Sequence, residues 1–279
     1  MSLNFAQICQ ALAKNGVANP RLETRLIMAF VLQCQPAEVF SDSALTAEQS
    51  RKADEVLRRR LQHEPLDKIF GHREFYKFDF IVDKNVLSPR PDTEILVEEA
   101  VSLARDNMSI LDLGTGSGCI IASILSEHPQ TQGTAVDISA ASLEIARRNA
   151  ENLGISSRLR FIRADWFNAD ICQTIGQKFD MIVSNPPYIP TADIATLETE
   201  VKNNDPMAAL DGGNDGLQSY MRIAEIAPQL LNDEGYILLE VGINQAHEVA
   251  DIFVARKLKL LKILPDLSGI ERCVVLQKA

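Results

Sequence analysis

Apolar positions along this chain fall into two regimes. Up to about residue 75 they recur at helical spacing, and from residue 108 they gather into short runs that read as buried strands. Leu3, Ile8 and Leu12 open an amphipathic stretch that stops near Gly16, a C-cap residue. Asn19 followed by Pro20 gives an N-cap and a first-turn proline, and Leu22, Leu26, Ile27, Phe30 and Val31 supply that helix with an apolar face. Thr46 with Gln49 has the spacing of a capping box for a third helix through Val56, Leu57 and Leu61. These helices form a small bundle. The run Arg58, Arg59, Arg60 reads first as a solvated face, with an acidic partner as the alternative.

Between residues 66 and 88 the pattern changes. Phe75, Phe78, Phe80, Val82 and Val86, near Gly71 and Asp83, predict a hairpin joining two domains. Ser88-Pro89-Arg90-Pro91-Asp92-Thr93-Glu94 then precedes a helical pattern from Ile95 to Ala104, with Asp92 or Thr93 as its cap. Beyond it, strands and helices alternate, the signature of a parallel sheet covered on both faces. Expected strands are Met108–Leu113, Thr134–Val136, Arg160–Ile162, Phe179–Val183, Gly235–Val241 and Arg272–Gln277, with helices over Ile120–Leu125 and residues 140–153. The polar stretch Asn203–Gly216 is long enough to be a functional loop. The expected organisation is a helical domain over residues 1–75, a connecting hairpin over 76–88 and a larger α/β domain over 89–279.

Composition adds bounds. With 279 residues, 46% hydrophobic and 24% charged, the chain can bury a full core. A formal charge of -10 argues against long-range attraction to a nucleic-acid backbone. Cys9, Cys34, Cys119, Cys172 and Cys273 are scattered without a C-x-x-C pair, which predicts neither a disulfide framework nor a metal site and fits a reducing cytoplasm. No signal peptide and no membrane span are expected.

Candidate chemistry concentrates at strand ends. Gly114, Thr115, Gly116, Ser117 and Gly118 follow the first strand of the α/β region, and Asp137 ends the next. Strand, glycine turn, helix and then an acid is the plan for an adenosine-containing cofactor, because glycine lets backbone approach the ligand and the acid accepts from ribose hydroxyls. Cys119 stands where a dehydrogenase wants Gly or Ala, and the G-x-G-x-G form instead resembles S-adenosylmethionine-dependent methyltransferases, with their Rossmann-like, mostly parallel sheet. On that template Asp165 reaches the adenine amine and Trp166 packs on the ring, with a plain core role for Trp166 equally weighted. Asp112 reads first as a support for the glycine loop, with an approach to the methionine amino group as the alternative.

The fourth strand delivers Asn185-Pro186-Pro187-Tyr188, a turn stiffened by two prolines. Beside a methyl donor such a turn suits a planar, weakly nucleophilic nitrogen. The Asn185 side-chain carbonyl and the Pro186 backbone carbonyl can accept its two N–H groups, and Tyr188 can pack on its plane.

Several stretches resemble the bacterial HemK/PrmC family: Glu64-Pro65-Leu66, Gly71 with Glu74-Phe75, Leu87–Glu94, Asp112–Gly118, Asn185–Ile189, Ala209–Leu217 and Gly235–Gln245. Ser88 departs from it, where an aliphatic residue commonly precedes Pro-Arg-Pro. The resemblance implies methyl transfer from S-adenosylmethionine, leaving S-adenosylhomocysteine, to the glutamine of the Gly-Gly-Gln loop in bacterial class 1 peptide-chain release factors. It implies cofactor contacts from residues 114 to 118, Asp137, Trp166 and Asn185, substrate contacts from Asn185, Pro186, Pro187 and Tyr188, and a docking role for the leading bundle. Arg90–Glu94 would close over the methionine end, and the loop near Asp211–Gly216 would shape the mouth. The competing readings are an adenine-amine nucleic-acid methyltransferase, a ribosomal-protein glutamine methyltransferase, and a cofactor-binding protein without catalysis.

Overall fold

The computed structural model describes residues 3–279. Two compact units divide them: the residues up to Gly71 together with Thr199–Asn204, and His72–Glu198 together with Asp205–Ala279. No helix among the described residues is long and apolar enough to cross a membrane.

The first unit is helical, with Phe5–Lys14, Pro20–Leu32, Ala47–Arg60, the short Leu66–Phe70 and the later Thr199–Asn204. Its caps follow local chemistry. Asn4 and Gln7 form a reciprocal capping box, and so do Thr46 and Gln49, whereas the Asn19 side chain makes no cap bond and leaves the start to Pro20. Ile8, Leu12, Ile27, Met28, Ala53 and Val56 close the core. The arginine run is not a free basic face. Arg58 pairs with Glu55 and Arg59 with Glu64, while Arg60, only 5% exposed, bonds Glu23 and Glu200 at 2.6 Å each. Lys68 Nζ donates to the Asn204 carbonyl at 2.5 Å and Asn204 Nδ2 to the His63 carbonyl at 2.9 Å. A helix from far along the chain is thereby tied into this bundle.

The second unit opens with the antiparallel hairpin β1 (His72–Phe75) and β2 (Phe78–Ile81). The hairpin was expected within residues 76–88 as a connector. It begins four residues before that range and sits inside the second unit, where Phe75 and Phe80 join its core and Asn149 clamps the Ile81 backbone on both sides. Seven strands follow: β3 (Ser109–Leu113), β4 (Gln132–Asp137), β5 (Leu159–Arg163), β6 (Phe179–Ser184), β7 (Leu231–Glu240), β8 (Leu258–Pro265) and β9 (Glu271–Lys278). Their order is β5-β4-β3-β6-β7-β9-β8, parallel except that β9 runs against both neighbours. Apolar residues load both faces. Leu111, Leu113, Ile182, Ile237 and Leu239 pack on one side, and Ile110, Met181, Val183 and Leu238 on the other. Burial on both faces is why these strands read as continuous apolar runs.

The order matters for the site. From β3 the chain goes outward through β4 and β5, then returns to add β6 on β3's other flank. The carboxyl ends of β3 and β6 therefore flank a topological switch point, where open α/β sheets bind ligands. Asp112 lies opposite Val183 in that pair, and Ser184 Oγ donates to the Leu113 carbonyl at 2.6 Å.

Candidate functional site

A cavity of about 420 Å³ opens at this edge of the second unit. Of the residues expected there from sequence, Gly114, Thr115, Gly116, Ser117, Asp137, Trp166, Asn185 and Pro187 line it, whereas Gly118, Pro186 and Tyr188 do not.

The glycine loop leaves β3 through three left-handed residues, Gly114, Gly116 and Gly118 (φ 76°, 54° and 79°), each with its own reason. A Cβ on Gly114 would meet the Trp166 ring at 3.0 Å. One on Gly118 would meet Ala146 at 3.1 Å, so Gly118 serves the packing of helix Ala140–Asn152. A Cβ on Gly116 meets nothing within 4 Å. No packing demands that glycine, and what it keeps clear is the loop's approach to the cavity.

Asp137 stiffens this loop. Its carboxylate accepts from Gly116 N–H at 2.9 Å and Ser139 N–H at 2.8 Å, and burial outweighs these bonds to raise its pKa above the usual carboxylate range. Asp112 accepts from Thr115 Oγ1 at 2.6 Å, while Oδ1 is buried with no hydrogen-bond partner among the described residues and burial pushes the group up to about 7. Trp166 is half-buried. It lies edge-on to Gly114, its carbonyl accepts from Arg222 at 2.8 Å, and its indole N–H has no partner among the described residues. Asp165 accepts from Phe167 N–H at 2.8 Å.

At the end of β6, Asn185 Nδ2 donates to Thr93 Oγ1 at 3.3 Å. Pro186 is buried. Tyr188 points its hydroxyl at Glu240, donating to Oε1 at 3.4 Å, and burial holds that phenol well above its ordinary pKa. Three glycines let the chain close round it. A Cβ on Gly212 would stand 2.7 Å from Tyr188 Cα, one on Gly216 2.3 Å from its carbonyl oxygen, and one on Gly242 3.0 Å from its ring. Gln245 Nε2 donates to the Tyr188 carbonyl at 3.1 Å, and its Oε1 accepts from Gly242 N–H at 3.0 Å. The ring expected against the substrate is partly buried, packs against Gly242 and does not line the cavity.

The polar stretch 203–216 does border the site, through Pro206, Ala208, Ala209 and Asp211. It is more ordered than an open loop. Ile189 N–H donates to the Leu210 carbonyl at 3.0 Å, Gly212 N–H to the Ile189 carbonyl at 2.8 Å, and Thr191 Oγ1 to Asp211 at 2.7 Å. Arg90 bonds Asp205 at 2.9 Å.

Two family models match the chain: the PrmC N-terminal domain over residues 5–71 and the methyltransferase small domain over residues 80–202. Release factor glutamine methyltransferase of Rhodospirillum rubrum is 42% identical over 266 residues, covering 94% of this chain and 80% of that one. The protein of the same name from Agrobacterium fabrum is 40% identical over 271 residues, covering 94% and 92%. The chain belongs to the release factor glutamine methyltransferase family. Among solved structures, a methyltransferase from Pyrococcus furiosus matches with a TM-score of 0.56 at 18% identity, over 80% of this chain and 97% of that one. A ribosomal protein L11 methylase from Lactobacillus delbrueckii matches at 0.52 and 15%, over 71% and 84%. At such identities they speak for the methyltransferase fold alone.

Within this family member, the bond between Thr93 and Glu240 was not expected from sequence. Asp92 or Thr93 was expected to cap the following helix, Glu94–Leu103, with Arg90–Glu94 over the methionine end. Thr93 is the one that bonds Glu240. It makes no cap bond, has helical backbone, and donates through Oγ1 to Glu240 Oε2 at 2.5 Å. Glu240 ends β7, is 3% exposed, and is pushed up to about 7 by burial. Apart from lying within Gly235–Gln245, the signal for Glu240 in the chain was a carboxylate closing an apolar strand, which is costly unless donors pair with it. Ser88 is buried at the cavity wall and its hydroxyl has no partner among the described residues.

Proposed function

We propose that this methyltransferase moves a methyl group from S-adenosylmethionine to the side-chain amide nitrogen of the Gly-Gly-Gln glutamine in bacterial class 1 release factors, in the cytoplasm. The observation that carries the reading is the meeting of the glycine loop and Asn185 on one cavity, at the adjacent ends of β3 and β6. Family membership supports glutamine over adenine as the planar nitrogen, and the charge of -10 agrees with it.

The residues present fit the cofactor. Gly116 leaves open the space a Cβ would fill, Asp112 Oδ1 is a buried acceptor without a partner among the described residues, and Asp137 retains acceptor capacity beyond two backbone bonds. Residues 114 to 117 would hold the donor's backbone-facing side, Asp137 its ribose, Trp166 its base, and Asn185 its reactive end. When bound, S-adenosylmethionine supplies an electrophilic methyl on a sulfonium. The chain's own contribution is positioning and electrostatics. Asn185 Oδ1 and the Pro186 carbonyl accept the two amide N–H groups and so draw the nitrogen lone pair out of conjugation and into line. Pro187 borders the glutamine, and Tyr188 holds the turn in register from behind. The helical unit docks the body of the release factor.

Labelled S-adenosylmethionine offered separately with a release factor, a ribosomal protein and a nucleic acid tests this. The methyl group should appear by mass spectrometry on the Gly-Gly-Gln glutamine. A methylated adenine with an untouched glutamine would reject it.

A further inference from the structure

Asn185 can serve as described only if its amide presents oxygen, not nitrogen, to the substrate. The two ends of a side-chain amide are nearly equal in shape, so packing alone selects poorly between them. Something must hold the NH₂ end. Its partner is Thr93 Oγ1 at 3.3 Å, but a hydroxyl has one proton and two lone pairs and can equally donate. What decides Thr93 lies one bond further on: Thr93 donates to Glu240 Oε2 at 2.5 Å. In its ionised form, which prevails above its raised pKa of about 7, the Glu240 carboxylate only accepts, so the Thr93 hydroxyl donates to it and can then only accept from Asn185.

Resting on the reading of Asn185 as an acceptor of the substrate's N–H, we infer that Glu240 is a positioning residue for methyl transfer, fixing through Thr93 which face of the Asn185 amide meets the substrate. The chain Asn185 Nδ2 to Thr93 to Glu240 spans three separate elements, 92 and 147 residues apart in sequence. Glu240's other oxygen is taken by the Tyr188 hydroxyl at 3.4 Å, so both ends of one carboxylate brace the same turn. Around it stand Asp92 before helix Glu94–Leu103, Arg272 and Cys273 on β9, Cys119 on the helix after the glycine loop, and Tyr220, whose hydroxyl donates to the Glu240 carbonyl. Arg272 is the one cation in that set and is itself bound to Asp92 and Asp266. Among the described residues no cation is paired with the Glu240 carboxylate. A pair of hydroxyls, from Thr93 and Tyr188, solvates it instead.

Glu240→Gln makes the sharpest test because it keeps size and shape. Its carbonyl would stay with the Tyr188 hydroxyl, its NH₂ would face Thr93, and the Thr93 proton would turn toward Asn185 and select the wrong amide face. Turnover should fall at least about tenfold, while S-adenosylmethionine affinity by calorimetry stays within a few fold. Thr93→Val should lose a similar factor, and Thr93→Ser should recover most of it. Wild-type turnover should fall on acidification as Glu240 takes up a proton, a limb absent from Glu240→Gln. Independently of any substrate, the Asn185 side-chain NH₂ signal in ¹⁵N-asparagine-labelled protein, identified by its absence from Asn185→Ala, should move in Glu240→Gln and Thr93→Val but hardly in Thr93→Ser. Wild-type turnover in Glu240→Gln, an unchanged acidic limb, or an unmoved Asn185 signal would each overturn the inference. If the wild-type protein leaves the release-factor glutamine unmethylated, the substrate assignment fails, and the amide signal still decides this one. Circular dichroism confirms that each variant is folded, and Thr93→Val serves where Glu240→Gln is not.

Discussion

Asn185 and Asp137 line the same cavity but answer to different measurements. Asn185 lines the cavity just after β6, and in the proposed reading its loss would remove a preorganised polar contact from the reacting nitrogen. Asn185→Ala should keep cofactor affinity within a few fold and lower turnover by roughly 10²-fold, the scale of losing one such contact. Asp137 braces Gly116 and Ser139, and in the proposed reading its remaining lone pairs would meet the ribose, so Asp137→Ala should chiefly weaken S-adenosylmethionine binding in calorimetry. Unchanged affinity would remove it from the ribose. The place of both residues on the cavity was legible from sequence because strand ends and glycine spacing are local signals. The bond between Glu240 and Thr93 was not: it joins residues 147 apart, and nothing near either one announces the other.

The turn after β6 is approached closely by glycines on neighbouring segments. Gly212, Gly216 and Gly242 come from two stretches that wrap Tyr188. Gly216→Ala should therefore be costly, since its φ of 77° disfavours a side chain and the new Cβ would lie 2.3 Å from the Tyr188 carbonyl and 2.7 Å from Gln245 Nε2. We expect a loss of about 2 kcal/mol or more, a fall in melting temperature of roughly 4–8 °C. Gly16, with the same φ of 77° and nothing within 4 Å, isolates the backbone term, and Gly16→Ala should cost only about 1 kcal/mol. A similar cost for both would deny the wrap any role. Elements too differed in legibility. The central strands are buried on both faces and so stood out as apolar runs. The edge strand β8 carries Leu260 and Leu261 exposed between lysines, and no period marks it. The hairpin was foreseen, but its membership was not, because Phe75 and Phe80 look the same whether they join domains or fill one core.

At the scale of the whole molecule, stability should depend on pH in an unusual sense for an acidic protein. Asp112 and Glu240 are fully buried carboxyls whose folded pKa is raised to about 7. Between the ordinary carboxylate range and pH 7 the folded state binds their protons more tightly than the unfolded one. Their stabilisation is therefore complete at low pH and is lost as pH rises through about 7, opposite in sign to carboxylates with lowered pKa such as Asp180. Asp112→Asn should raise the melting temperature at pH 8. The gain over wild type should grow from about pH 4 to pH 7, by at most about 1.4 kcal/mol per pH unit, and level off above. Calorimetric melting across that range checks it, and a pH-independent difference would contradict it. The whole-molecule plan of a helical bundle followed by an α/β sheet was legible from the change in period, but the reach of residue 199 back into the bundle was not. That reach bears on how the protein can be taken apart. Because Thr199–Asn204 belongs with the bundle, the chain passes between its two units three times, and the bundle is not a detachable leading module. A protein begun at residue 72 would leave Glu200 without Arg60, and an exchange of bundles between relatives would have to carry this distant helix with it.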